Sequence, residues 1–278
     1  MTAFSAAESA VAMQASGPPT FNANVPHFAR VYDYWSGGKD NFAVDRELGE
    51  VMLKAVPGLG SMAAENRRFV HRSTRDLVVH EGIRQFIDFG CGLPFAPNLH
   101  EVAQHHVPET RVVYVDNDPL VLAHARALLH SHPAGRIEVV GADLRDPAAI
   151  LSHPVLLATV DRGRPVGLTV IGTLMLLADD DNPWSLVEQL RNAVPSGSCL
   201  VVSHLTVDFQ PAEVSAAVTA AGDAGMTLVA RTREEVRRFF GSWELLGPGL
   251  VPVSVWRPDL PTANPVEASW WAGVARKP

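Results

Sequence analysis

From Gln85 onward the chain alternates short apolar runs with amphipathic stretches. Gln85–Phe89 is an apolar run closing on Asp88 and a glycine turn, and Arg111–Val115 is a second β-rich run ending in Asp116. Between them, Asn98 to His106 reads as a helix beginning just after Pro97. Pro119 to His130 follows as a helix with Pro119 in its first turn, where the missing N–H costs nothing. Arg136–Val140 is the next strand, with a turn at Gly141–Asp143. Val166–Ile171 has the unbroken apolar character of a buried strand, and Asp179, Asp180, Asp181 and Asn182 then precede Pro183 and a helix through Asn192. Acids there fit a helix start, where they complement free backbone N–H groups. Ser198–Ser203 is a strand, Pro211–Ala221 a helix, and Thr232–Phe240 a helix opened by Thr232 with Glu235 three residues on, a capping-box pattern. Trp243–Leu246 and Trp271–Ala275 supply the last strands. This alternation predicts an α/β, doubly wound, mostly parallel sheet over residues 83–278, with a helical N-terminal extension over 21–82 and a flexible leader over 1–20.

Composition narrows the class. With 47% hydrophobic and 19% charged residues in 278, the chain has ample material for a packed core. A net charge of -7 disfavours broad attraction to nucleic acid or to anionic membranes. Cys91 and Cys199 form no CxxC pair and sit in apolar surroundings, as reduced thiols do. The leader carries Glu8, has no Lys or Arg and lacks a sustained apolar region, so it fails as a signal peptide. The apolar run Val166–Ala178 is too short to cross a bilayer. A cytoplasmic protein with no membrane span is expected, its oligomeric state left open.

The segment Phe86-Ile-Asp88-Phe-Gly90-Cys91-Gly92 runs a strand into a glycine-rich turn, and in an open α/β sheet such a crevice is where nucleotide-like ligands bind. An ordinary tight turn reads the same way when it stands alone. Asp116 lies 28 residues after Asp88, at the end of the second strand and beside Asn117, where a carboxylate can accept both hydroxyls of a ribose. NAD and S-adenosylmethionine would both use it. They part at the first turn, because a dinucleotide needs a short G-x-G-x-x-G turn that brings a helix N-terminus to its pyrophosphate, and three residues after Gly92 stands Phe95. Asp143, 27 residues beyond Asp116 and next to Leu144, can take an adenine amino group while the leucine covers the ring, although a turn-capping role fits it too. Three acids at successive strand ends with near-equal spacing favour the ligand reading.

In this order the motifs resemble those of class I methyltransferases. The stretch Ala29-Arg-Val-Tyr-Asp-Tyr-Trp-Ser-Gly-Gly-Lys-Asp-Asn-Phe-Ala-Val-Asp-Arg46 sharpens the resemblance, as do Val113–Ala127, Gly141–Pro147, Trp256-Arg-Pro258 and Gly273–Pro278. Together they are similar to an actinobacterial S-adenosylmethionine-dependent methyltransferase family formerly grouped as a domain of unknown function, from about residue 22 to the C-terminus. The resemblance implies a Rossmann-like methyltransferase fold and S-adenosylmethionine held by Asp88, Gly90, Cys91, Gly92, Asp116, Asn117, Asp143, Leu144 and Gly172. The polar tips of Tyr32 and Asn41 and the cation of Lys39 could engage the amino-acid end of the cofactor, while Tyr34, Trp35 and Phe42 wall off solvent. Packing of this extension onto the sheet is the alternative.

Many members of the resembling family carry a His where this chain has Met175, so a base at that position is not available here. His204, at the end of the strand Ser198–Ser203, is the remaining candidate base, with an inert structural role as its alternative. The other histidines show no third ligand at metal spacing. The implied reaction is in-line displacement at the sulfonium methyl, with a base needed only if the nucleophile must lose a proton. No Asn-Pro-Pro-Tyr or Asp-Pro-Pro-Tyr string occurs, which argues against amino methylation of adenine or glutamine. A small-molecule acceptor is expected. A non-catalytic S-adenosylmethionine-binding regulator and, further behind, an NAD-dependent oxidoreductase are the competing readings.

Overall fold

The computed structural model describes residues 22–259 and 269–278, so the expected leader lies outside the described residues. Three helices come first among the described residues: α1 (Phe28–Trp35), α2 (Ala43–Ala55) and α3 (Leu59–Val79). The sheet begins with β1 (Gln85–Phe89), followed by α4 (Leu99–His106), β2 (Arg111–Asp116), α5 (Pro119–Leu128) and β3 (Arg136–Gly141). Two six-residue helices, α6 (Pro147–Ser152) and α7 (Pro154–Thr159), lead to β4 (Gly167–Ile171), α8 (Pro183–Asn192) and β5 (Cys199–Leu205). The C-terminal part holds α9 (Pro211–Asp223), α10 (Arg233–Arg238), β6 (Glu244–Leu245), β7 (Val251–Pro252) and β8 (Trp270–Arg276).

The strands form one sheet in the order β3-β2-β1-β4-β5-β8-β6, with β7 also paired to β8. β1 to β5 run parallel, and β8 enters antiparallel between β5 and β6. Strand order therefore reverses between β1 and β4, which leaves a crevice at their C-terminal ends. Alternate residues feed opposite cores. Phe86, Cys199 and Val201 face the layer built by α1, α2, α3 and α9, whereas Ile87, Phe89, Leu200 and Val202 face the one closed by α8 and α10. Val-rich strands buried on both faces are what parallel sheets require.

Most helix starts follow local chemistry. Asp118 accepts from the Leu120 and Val121 amides at 2.8 and 2.9 Å and Pro119 opens α5, while Thr232 and Glu235 form the capping box of α10. Helices α6 and α7 escape the apolar periodicity because each is under two turns long, although Asp146-Pro147 and His153-Pro154 carry their start signals. One expectation needs correcting. The Asp179–Asn182 run does not cap α8: Asn182 is left-handed at φ 52° and gives no side-chain cap, and two of the three acids are taken by arginines instead. Asp179 pairs with Arg231 at 2.6 Å and Asp181 with Arg145 at 3.0 Å.

The extension shares its core with the sheet, through Phe28, Trp35, Met52 and Phe69. Arg72 of α3 donates to the Val253 and Trp256 carbonyls at 2.7 and 3.0 Å, pinning the helix to the C-terminal segment. The link between α1 and α2 rests on Asp45, which is wholly buried and accepts from the His27 amide, the Phe42 amide and Arg30 Nε at 2.9, 2.8 and 2.9 Å. Removing one member of a buried ion pair leaves the other uncompensated. Asp45→Ala is therefore expected to lower stability by about 3–5 kcal/mol in urea unfolding. The double variant Arg30→Met, Asp45→Leu should recover part of that loss; equal stability of the single variant and the parent protein would contradict this role.

Candidate functional site

A cleft opens over the C-terminal ends of β1, β2 and β4, with α1 and α3 along one side. Its first wall is the turn after β1. Gly90 has φ +68°, and a Cβ there would run into the side chain of Thr173, so the turn and its packing both require glycine. The Gly90 amide donates to the Val115 carbonyl at 2.8 Å, and Thr173 Oγ1 donates to the Phe89 carbonyl at 2.9 Å.

Asp116 holds this turn to the end of β2. Its Oδ2 accepts from the Gly92 amide and its Oδ1 from the Asp118 amide, each at 3.0 Å. Burial raises its carboxyl above the ordinary range, and these two amides oppose the shift. The Cys91 thiol lies 3.9 Å from Asp116 Oδ2 and is pushed well up by burial and by the neighbouring carboxylates of Asp116 and Asp88, so it is an unreactive lining group. Asp88 accepts from Thr169 Oγ1 at 2.6 Å, and burial pushes its carboxyl up to about 6 against the pull of Arg67.

At the far end, Asp143 and Leu144 line the cleft beside Asn117. Partial burial of Asp143 is outweighed by hydrogen bonds from the Arg145 amide at 2.8 Å and from Asn117 Nδ2 at 3.0 Å, and its carboxyl lies below the usual range. Gly172 closes the floor after β4, its amide on the Ser203 carbonyl at 3.1 Å. The cleft thus gathers Asp88, Gly90, Cys91, Gly92, Asp116, Asn117, Asp143, Leu144, Gly172 and Tyr32.

Tyr32 contributes differently from its expected role. Its hydroxyl donates to the Ala63 carbonyl at 2.8 Å and accepts from Asn66 Nδ2 at 3.3 Å, so only the ring faces the cleft chemistry. Asn41 does not line the cleft. Its amide donates to Asp33 Oδ2 at 2.8 Å and to the Gly38 carbonyl at 3.1 Å, and its side-chain oxygen accepts from Arg46. Lys39 is likewise absent from the lining, and the Tyr34 hydroxyl donates to Glu50.

His204 is also corrected. It is fully buried away from the cleft and stacks on Phe239 with ring centroids 5.9 Å apart. Arg231 Nη1 can only donate, so His204 Nε2 accepts it at 2.9 Å and Nδ1 carries the proton given to the Leu205 carbonyl at 2.7 Å. Burial drives its pKa down to about 3, and the lone pair a base would need is already engaged.

Sequence patterns miss several polar residues of the cleft lining, His27, Asn66, His71 and Arg67; the one nearest the buried acid is Arg67. It comes from the middle of α3, and its guanidinium sits over the rings of Tyr32 and Phe95 at 5.2 and 5.4 Å. Its buried Nε has no hydrogen-bond partner. Nothing in Glu65-Asn-Arg-Arg68 distinguishes it from a solvated helix face; only the fold turns it towards Asp88. No cluster of His, Cys, Asp and Glu among the described residues could hold a metal, and no helix among them is long and apolar enough to cross a membrane.

A family model described as S-adenosyl methyltransferase matches residues 14–278. Among solved structures, a DUF574 family protein from Streptomyces avermitilis MA-4680 is 42% identical, with a TM-score of 0.90 over 92% of this chain and 99% of that one. A protein from Thermobifida fusca YX is also 42% identical, with a TM-score of 0.84 over 91% of this chain and 96% of that one. No curated protein matches.

The raised Asp88 pKa makes a stability prediction for the free protein. A carboxyl held at about 6 when folded, against 3.8 ordinarily, binds its proton more tightly in the folded state. Stability from this group is present at low pH and is lost as pH rises through the window from about 4 to about 6. Asp88→Asn should remove that loss, so its advantage over the parent in urea unfolding should grow across the window and stay constant above it. A pH-independent difference would place the Asp88 carboxyl in an ordinary solvated setting.

Proposed function

This chain belongs to the S-adenosyl methyltransferase family, and from that premise we propose that Arg67 and Asp88 together recognise the amino-acid end of the methyl donor while Asp116 and Asp143 recognise its nucleoside. The protein is an S-adenosylmethionine-dependent methyltransferase. The observation that carries the residue assignment is the unpartnered Arg67 Nε near a desolvated Asp88. A cation and an anion beside the glycine turn complement a zwitterionic amino acid. A pyrophosphate would meet both Asp88 and Asp116 beside that single cation, and the next helix starts only at Leu99, seven residues past Gly92.

S-adenosylmethionine, when bound, supplies a methyl group made electrophilic by its sulfonium. Asp116 accepts the ribose hydroxyls with its remaining lone pairs, its orientation already set by the Gly92 and Asp118 amides. Asp143 accepts the adenine amino group, and Leu144 covers the ring. Asp88, ionised, accepts the ammonium, and Arg67 donates to the carboxylate. Tyr32 and Phe95 hold the guanidinium of Arg67 in place by cation–π contact. These groups align the donor and exclude water, which is most of what methyl displacement asks of a protein.

We assign the acceptor to small molecules rather than nucleic acid, a reading supported by the net charge of -7. Cytoplasmic residence is supported by two unpaired cysteines, Cys91 and the buried Cys199.

Calorimetry with S-adenosylhomocysteine and with 5′-methylthioadenosine, which lacks the amino acid, separates the two ends. Arg67→Met is expected to weaken S-adenosylhomocysteine by about 1.5–3 kcal/mol and leave methylthioadenosine unchanged. Asp116→Ala should weaken both by a similar amount. Equal affinity of Arg67→Met and the parent protein for S-adenosylhomocysteine would remove Arg67 from the site.

A further inference from the structure

A groove between α8 and α10 shares no lining residue with the donor cleft. Three arginines line it, Arg191 from the last turn of α8 and Arg237 and Arg238 from the last turn of α10. Neighbouring arginines are paired, Arg231 with Asp179 at 2.6 Å and Arg233 with Glu234 at 4.0 Å. Among the described residues, Arg191, Arg237 and Arg238 have no carboxylate within ion-pair distance, although the chain carries a net charge of -7. Arg191 lines the groove and is only 9% exposed. Its guanidinium lies against Gly241, where φ is +55° and a Cβ would run into it, so glycine makes the room it occupies. Nη1 donates to the Phe240 carbonyl at 3.3 Å, while Nε is buried with no acceptor. Burial lowers the pKa of Arg191, and the charge of Glu188, one turn back on α8, opposes the shift.

We propose that this groove binds a phosphate monoester of a small hydroxylated compound, such as a sugar phosphate, with the phosphate on Arg191 and Arg237 and the hydroxylated part lying along α8 towards Ser185. The proposal is independent of the donor assignment. Arg237 Nη1 donates to the Gly241 carbonyl at 3.0 Å, so Arg237 and Arg191 meet at the Phe240–Gly241 turn. A carbonyl carries no net charge, and both guanidiniums keep theirs. A phosphate monoester carries about -1.5 to -2 near pH 7, which two guanidiniums match. Guanidinium is also the side chain whose planar set of N–H groups suits phosphate oxygens.

The rest of the groove sets the class of ester. Ser185, Glu188 and Arg191 are spaced by three residues and form one stripe along α8, about 9 Å from end to end at the helical rise. That length leaves room for one sugar-sized unit beyond the phosphate. The Ser185 hydroxyl makes no hydrogen bond within the protein, and Glu188 can accept from hydroxyls, whereas a second phosphate would be repelled there. Glu234 is drawn to Arg233. Trp184 does not offer a free aromatic face for a nucleobase. Its ring stacks on Phe239 at 5.8 Å and carries the Arg238 guanidinium at 3.9 Å, and its Nε1 donates to the Glu235 carbonyl at 3.0 Å. It lines the groove and so reports on what enters.

The test uses the full chain with ¹⁵N-indole-labelled tryptophan, the Trp184 signal being identified by its loss in Trp184→Phe. Glucose 6-phosphate, inorganic phosphate, glucose and acetate are added at constant ionic strength. Glucose 6-phosphate is expected to shift the Trp184 signal saturably with a midpoint below about 10 mM. Inorganic phosphate should bind at least about fivefold more weakly, and glucose and acetate should give no saturable shift. Arg191→Gln and Arg237→Gln should each weaken glucose 6-phosphate at least about fivefold, and the second serves if the first fails to fold. Glu188→Ala should bring the preference for the ester over phosphate to within about twofold. Arg67→Met should leave the midpoint within about twofold, which separates this groove from the donor cleft. The proposal is overturned if glucose 6-phosphate gives no saturable shift, if acetate gives the same one, or if the midpoint is unchanged in Arg237→Gln. Phosphate binding as tightly as glucose 6-phosphate would overturn the assignment to an ester.

Discussion

The Asp116 carboxylate joins two loops that would otherwise be independent. One oxygen takes the Gly92 amide from the turn after β1 and the other takes the Asp118 amide at the start of α5. The carbonyl of the same residue accepts the Ala142 amide at 2.9 Å, which adds the turn after β3. Three turns that line the cleft are thereby registered on one residue at the end of β2. The cost is desolvation, visible in the raised carboxyl pKa. What is gained is a carboxylate oriented in advance, as the ribose contact proposed for it would use, since groups ordered beforehand need less ordering on binding.

The N-terminal extension solves a different problem. Its polar residues are spent on one another: Asp33 takes the Asp40 amide and Asn41 Nδ2, and Asp45 takes two amides and the Arg30 guanidinium. Buried polar groups that satisfy each other fix one loop conformation, whereas unsatisfied ones would cost more than the packing returns. The extension then contributes surfaces rather than polar tips, with Tyr32 under Arg67 on the cleft side and Phe28 and Trp35 in the core it shares with the sheet.

Arginines support the opposite rim. Arg231, almost fully buried, donates to the Leu174 and Leu177 carbonyls at 3.0 Å each, to Asp179 and to His204. Arg145 reaches Asp143, Asp181 and the Leu176 carbonyl. The loop after β4, which carries Leu176 and Leu177 into the cleft, is thus clamped from both sides without regular structure of its own beyond short 3₁₀ turns. His204 belongs to this clamp, and the feature that made it attractive as a base, its place at the end of β5, is what buries it.

The sequence by itself determined the strands other than the two-residue β7, most helix starts and the three acids at strand ends, because these follow from local rules: apolar runs bounded by turns, proline and capping residues, and carboxylates spaced by one strand–helix unit. It also carried the family resemblance, through strings such as Tyr32–Phe42. Only the tertiary structure decided which polar side chains of that string face the cleft, and it turned Asn41 inward and Tyr32's hydroxyl onto a carbonyl. It brought Arg67 from an ordinary helical stretch to the neighbourhood of Asp88, and it sealed His204 under Phe239 and Arg231. A side chain's periodicity marks which face of its own element it occupies, but the partners that face meets lie tens to nearly two hundred residues away, as Arg72 meets Trp256. Whether a polar group is spent or available depends on those distant partners, and no local pattern encodes them.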